Sequence, residues 1–139
     1  MIQSDAGLYD VFIAKYDTSG NQLWIKQFGT ADTDRAYDIA VDATDNIYVT
    51  GYTDGGAFIA KYDNSGNQLW IKRDGGYGVT MDATENIYVT GGVVFAKYDT
   101  SGNQLWIKQF GTIANDQGRG IAVDAAGNIY VTGYTLGDL

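Results

Sequence analysis

Two stretches of this chain crowd together side chains that could bind a polar ligand or move a proton. Asp32, Asp34, Arg35, Tyr37 and Asp38 form the first, and Asn115, Asp116, Gln117 and Arg119 form the second. Tyr52, Thr53 and Asp54 make a smaller polar group, with Tyr134 and Thr135 as its counterpart near the end. Carboxylates, a guanidinium and phenols at such spacing suit recognition of a glycan or a protein surface. The alternative is that they solvate loops. Catalysis fits poorly, because the chain has no His and no Cys. The commonest general base and metal ligand, and the thiol nucleophile, are therefore missing. Asp34, Arg35 and Asp38 are the only cluster of acids and bases that is not repeated. No enzyme activity and no cofactor are expected.

The remaining residues of interest come in threes. Trp24, Trp70 and Trp106 stand in one setting, fit either for packing between strands or for stacking a sugar. Lys15, Lys61 and Lys97 recur with Lys26, Lys72 and Lys108, a pattern suited to blocking edge pairing of outer strands. They do so because AKYDTSGNQLWIK at Ala14–Lys26 returns unchanged at Ala96–Lys108, and at Ala60–Lys72 with Asn64 as the one difference. The copies start 46 and then 36 residues apart, which is propeller or helical-array spacing.

Helical arrays are excluded by the segments themselves. They are short, rich in Val, Ile, Tyr, Phe, Trp and Thr, and divided by Gly, Asn and Asp clusters. In the last unit, strands are expected at Val93–Tyr98, Gln104–Phe110, Arg119–Val123 and Asn128–Thr132. Asp opens each intervening turn and Gly or Asn supplies its positive φ, which gives four-stranded antiparallel meanders. QLWIKQF is apolar on both sides, which predicts sheets covered on both faces. The net charge of −8 argues against nucleic acid and anionic membranes. No apolar run has spanning length, and MIQSDAGLYD lacks the features of a signal peptide.

The pattern F-x-AKYD-x-SGN-x-LW-x-KQFGT … IAVDA-x-GNIYVTGYT resembles the bacterial beta-propeller repeats called SBBP repeats, and more distantly NHL-type blades. The resemblance implies a propeller, a bacterial secreted or surface context, and little about activity. In such blades DIAVD, GVTMD and GIAVD are the innermost strand A. NIYVTG is B, FIAKYD is C and QLWIK is D. The fold class is then all-β, with strands running C-D, A-B-C-D, A-B-C-D, A-B in one repeat domain of residues 1–139, its units about 9–53, 54–92 and 93–139. Propellers have about four to eight blades, so three blades' worth of strands is expected to close by homodimerisation into a six-bladed ring with composite blades. A fragment of a larger propeller is the alternative.

Asp42, Asp82 and Asp124 would then ring one end of the channel, as weak calcium ligands or as caps of their own turns. The middle unit loses residues only between D and A and between B and C. All length variation thus falls on one face, where a binding site is expected. Its candidate residues are Asp34, Arg35, Tyr37, Asp38, Asp116, Gln117 and Arg119.

Overall fold

The computed structural model describes residues 9–110 and 116–136. Its architecture grows out of one repeated turn. Asp17 accepts the N–H groups of Ser19 and Asn21 at 2.9 Å on one oxygen, and the Asn21 amide at 3.0 Å on the other. Asp63 and Asp99 do the same. So do Asp42, Asp82 and Asp124 in the other set of turns. The left-handed residue is the one before the Asn: Gly20, Gly66, Gly102 and Gly127, but also Asp45 at φ 66° and Glu85 at φ 65°. The expectation that Gly or Asn supplies the positive φ thus holds for Gly and not for Asn. Its amide ties the turn to the Asp.

These turns join twelve strands among the described residues. β1 (Val11–Tyr16) pairs with β2 (Gln22–Phe28) as a two-stranded sheet. β3 (Arg35–Val41), β4 (Ile47–Thr53), β5 (Gly56–Tyr62) and β6 (Gln68–Lys72) form a four-stranded meander. β7 (Gly78–Met81), β8 (Ile87–Gly91), β9 (Val94–Tyr98) and β10 (Gln104–Gln109) form another. β11 (Gln117–Val123) and β12 (Ile129–Tyr134) form a final pair. Every ladder is antiparallel between consecutive strands. The order is thus C-D, A-B-C-D, A-B-C-D, A-B, and the A strands β3, β7 and β11 adjoin one another in turn. No sheet closes on itself among the described residues, and β1 and β12 each keep one bare edge.

β11 starts at Gln117, two residues before the expected Arg119, because its ladder continues past a bulge between Gly118 and Gly120. β3 bulges likewise between Ala36 and Asp38. The carbonyls of Arg35 in β3 and Gln117 in β11, and that of Gly75 just before β7, lie so close to Gly51, Gly133 and Gly91 that a Cβ would collide with them. This accounts for the Gly ending each YVTG.

The core lies between sheets. β4 sends Ile47 and Val49 toward Val11 and Ile13 of the first hairpin, and Tyr48 from its other face toward Val79, Ile87 and Val89 of the next sheet. Ile87–Gly91 of β8 is buried throughout. The outer strands depart from the sequence reading. In QLWIK of β6 only Trp70 is partly covered, while Leu69 is 52% and Ile71 40% exposed. Blades splay apart with distance from the centre, so the outermost strand keeps one wet face.

Gly51→Ala should therefore lower stability by about 3 kcal/mol, the upper end of overpacking costs, since a backbone carbonyl must move. Gly127→Ala meets open space and pays only for its φ of +86°, about 1 kcal/mol. Urea unfolding of the two variants side by side measures the difference.

Candidate functional site

The candidate residues lie where D–A and B–C connections meet, on the face opposite the Asp-capped turns. Most of the carboxylates among them are spent on the fold. Asp34 is buried and accepts the N–H and hydroxyl of Thr30. Asp116 is buried and accepts the Thr135 hydroxyl and the Leu136 N–H. Asp74, at the same place in the middle unit, accepts the Tyr98 hydroxyl. Asp38 accepts the Val79 N–H at 3.0 Å, bridging the inner strands of two sheets. Gln117 is half-buried at the start of β11, and Asp32 and Asp54 are exposed. Thr53 accepts from Arg73 at 2.7 Å. Asn115 lies outside the described residues.

What this face presents outward is aromatic and cationic. Tyr37, Tyr52 and Tyr77 form a triad with ring centroids 4.9 Å (37 to 77), 5.2 Å (52 to 77) and 6.2 Å (37 to 52) apart. The Arg119 guanidinium lies 3.9 Å from the Tyr77 ring and 5.3 Å from that of Tyr134, and it donates to the Tyr134 hydroxyl at 3.4 Å. Arg35 stands apart, 4.8 Å over Tyr9. Burial, reinforced by neighbouring Tyr77, raises the pKa of Tyr52 and keeps its phenol protonated. Sequence reasoning named Tyr37 and Arg119 but missed Tyr77. Aligning YGVTM with YDIAV on their following Asp would have found it, because residues 37, 77 and 119 are equivalent.

The tryptophans and lysines work between sheets. Trp24 lies on Gly66 and Trp70 on Gly102, where an added Cβ would sit 3.2 and 3.1 Å from the rings. Lys15 donates to Asn64, and Lys61 to the Thr100 carbonyl at 3.0 Å. Each pair thus grips the next sheet's C–D turn. Within a sheet, Trp70 and Lys61 cover Tyr48 at 6.1 and 5.4 Å, and Trp106 and Lys97 cover Tyr88 at 6.2 and 5.3 Å.

At the opposite end, Asp42, Asp82 and Asp124 accept from their own turns and from the hydroxyls of Tyr48 (3.1 Å), Tyr88 (2.8 Å) and Tyr130 (3.1 Å). No group of three acids that could hold a metal occurs among the described residues.

Residues 23–59 and 105–139 match the SBBP beta-propeller repeat family. Over 50 residues, 35% of the chain, the sequence is 46% identical to an uncharacterised WD repeat-containing protein of Acanthamoeba polyphaga mimivirus, of which it spans 4%. A crystal structure of a protein of unknown function from Bacteroides caccae is similar over 82% of this chain and 43% of that one, with a TM-score of 0.54 and 12% identity. That likeness concerns the fold alone.

The turn carboxylates govern the response to acid. Burial raises the pKa of Asp42, but bonds from the Asn46 amide and N–H and from Thr44 outweigh it and hold the group at about 2. Asp82 is held at about 2 in the same way by Thr84, Tyr88 and Asn86. Because the folded values lie below the ordinary 3.8, this stabilisation is complete above that pH and is lost as pH falls through about 2. Acid titration followed by circular dichroism should show unfolding in that window, and Asn46→Ala should move its onset upward.

Proposed function

The chain belongs to the SBBP beta-propeller repeat family, and from that premise we propose that it is a non-enzymatic, self-assembling scaffold. Two copies complete each other's half-sheets: β11 and β12 of one copy join β1 and β2 of the other as a composite blade, and the pair closes as a six-bladed homodimer.

One observation carries this reading. The Trp and Lys cover of a B-strand Tyr and the seating of a Trp on a turn glycine each occur twice within the chain, and the third instance of each lacks one half. Tyr48 and Tyr88, covered by Trp and Lys, are 0% and 3% exposed, whereas Tyr130 at the same position is 61% exposed. The Lys and Trp that match it are Lys15 and Trp24, on the bare hairpin at the other end of the chain. Gly66 and Gly102 each seat a Trp, while nothing lies within 4 Å of the site where a Cβ would stand on Gly20. The Trp left over is Trp106. A groove beside β1 and β3, lined by Val11, Ile13, Ile39 and Val49, offers an apolar surface where a further A–B pair would pack. Exposed apolar faces and bare strand edges of this kind favour association.

The internal ladders supply a register. Tyr48 faces Lys61 and Val49 faces Ala60, and Tyr88 faces Lys97 and Val89 faces Ala96. The rule places Tyr130 opposite Lys15 and Val131 opposite Ala14 of the second copy.

A second reading is favoured by the exposed tyrosines and Arg119. On it, the long-loop face is a binding module for a glycan or a protein.

Light scattering coupled to size exclusion, across a dilution series, should give twice the chain mass. Since the chain has no Cys, Ala14→Cys with Val131→Cys should oxidise to a covalent dimer, while Ile13→Cys with Val131→Cys should not. Trp106→Ala should weaken the dimer at least a hundredfold, because two seats each lose part of the roughly 3–5 kcal/mol of a buried Trp. A monomer at every concentration would sink the reading and assign the vacant seats to further repeats of a longer chain.

A further inference from the structure

The middle unit leaves a notch in the rim of the long-loop face. Its D–A and B–C connections are shorter than those of the first unit. Gly92 stands where the flanking units carry Tyr52 and Tyr134, and open space surrounds the place where its Cβ would be. Tyr77 lies at the floor of this gap, with Tyr37 and Tyr52 against it on one side and Arg119 over it on the other.

We propose that this notch binds an oligosaccharide bearing carboxylates, with sugar rings on the tyrosines and one carboxylate on Arg119. Tyrosine rings offer flat, polarisable faces to the C–H side of a pyranose, and their hydroxyls remain free to meet its polar edge. Tyr37 is 45% exposed, at the border between the notch and the groove beside β1 and β3. A guanidinium stacked on an aromatic ring keeps its N–H groups on its edges; one of those of Arg119 bonds the Tyr134 hydroxyl, and the remaining ones can meet a carboxylate.

Local charge fits an acid despite the chain's net −8. No carboxylate pairs with Arg119 among the described residues. Asp34, Asp74 and Asp116 are turned into their loops by Thr30, Tyr98 and Thr135, and Asp38 holds the Val79 N–H. The exposed Asp32 and Asp54 sit on the first unit's connections. One guanidinium at the notch, in a chain of this charge, suits a sparsely charged sugar better than the dense phosphates of nucleic acid. The inference rests on the reading of this face as a binding module, and all its residues belong to one chain.

The test is calorimetric titration with tetramers of galacturonic and mannuronic acid, beside the methyl esters of the same tetramers, which keep the rings and remove the charge. Saturable binding of an acid tetramer is expected, at least tenfold tighter than its ester. Arg119→Gln should erase that preference, and Arg119→Lys should restore only part of it, with thermal midpoint and solution mass unchanged. Acid and ester binding equally would overturn the assignment to acidic sugars while leaving a glycan module in place. No saturable binding of either form would overturn the site. A preference that survives Arg119→Gln would overturn the role of Arg119.

Discussion

The contact on which the architecture depends runs between sheets. A Trp on the fourth strand of one sheet lies on the glycine of the next sheet's C–D turn, and a Lys beside it bonds the same turn. The geometry requires a glycine twice over. The backbone there is left-handed at φ +84° or +85°, and the ring occupies the space a side chain would need. Once the turn is seated, the B strand between the sheets is buried on both faces, which is why IYVTG is apolar without alternation. Burial of this kind is non-directional and proportional to area. The Trp–Gly and Lys–turn contacts add the orientation that area alone cannot give, and so set the angle at which each sheet meets the next.

Much of this was legible in the residues. The letter-for-letter repeats, the Asp–Asn turns and the runs of β-branched and aromatic residues are local features, and they place the four strands of the last unit within two residues of where they lie. Less legible was anything decided by a neighbouring sheet. Glu85 holds a left-handed turn position that the sequence rules assign to Gly or Asn, while its carboxylate accepts the Ala43 N–H of the preceding sheet. Leu69 and Ile71 read as buried because they are apolar, yet the splay of the blades leaves them wet. The acids of the long loops read as a polar cluster facing outward. Only the fold shows Asp34 and Asp116 turned inward to satisfy their own loops, and Tyr77 drawn in between Tyr37 and Arg119.

The two faces divide their tasks by chemistry. One carries six turns of a single design, whose carboxylates are filled by N–H, amide and hydroxyl donors. The other carries connections of different length, anchored at their bases by buried Asp residues. Anchors inside and tyrosines outside let the loops differ without disturbing the strands beneath them, the usual arrangement of a variable surface on a rigid frame.

The unbroken meander has a kinetic consequence. Since each strand pairs with the one just before or after it, every ladder can form as a hairpin from residues close in sequence, with little loop entropy to overcome. Such a chain can acquire its sheets in order as it leaves the ribosome, each new hairpin templated by the sheet already made. Near-identity of the units is tolerable under that regime, because locality fixes which copy pairs with which.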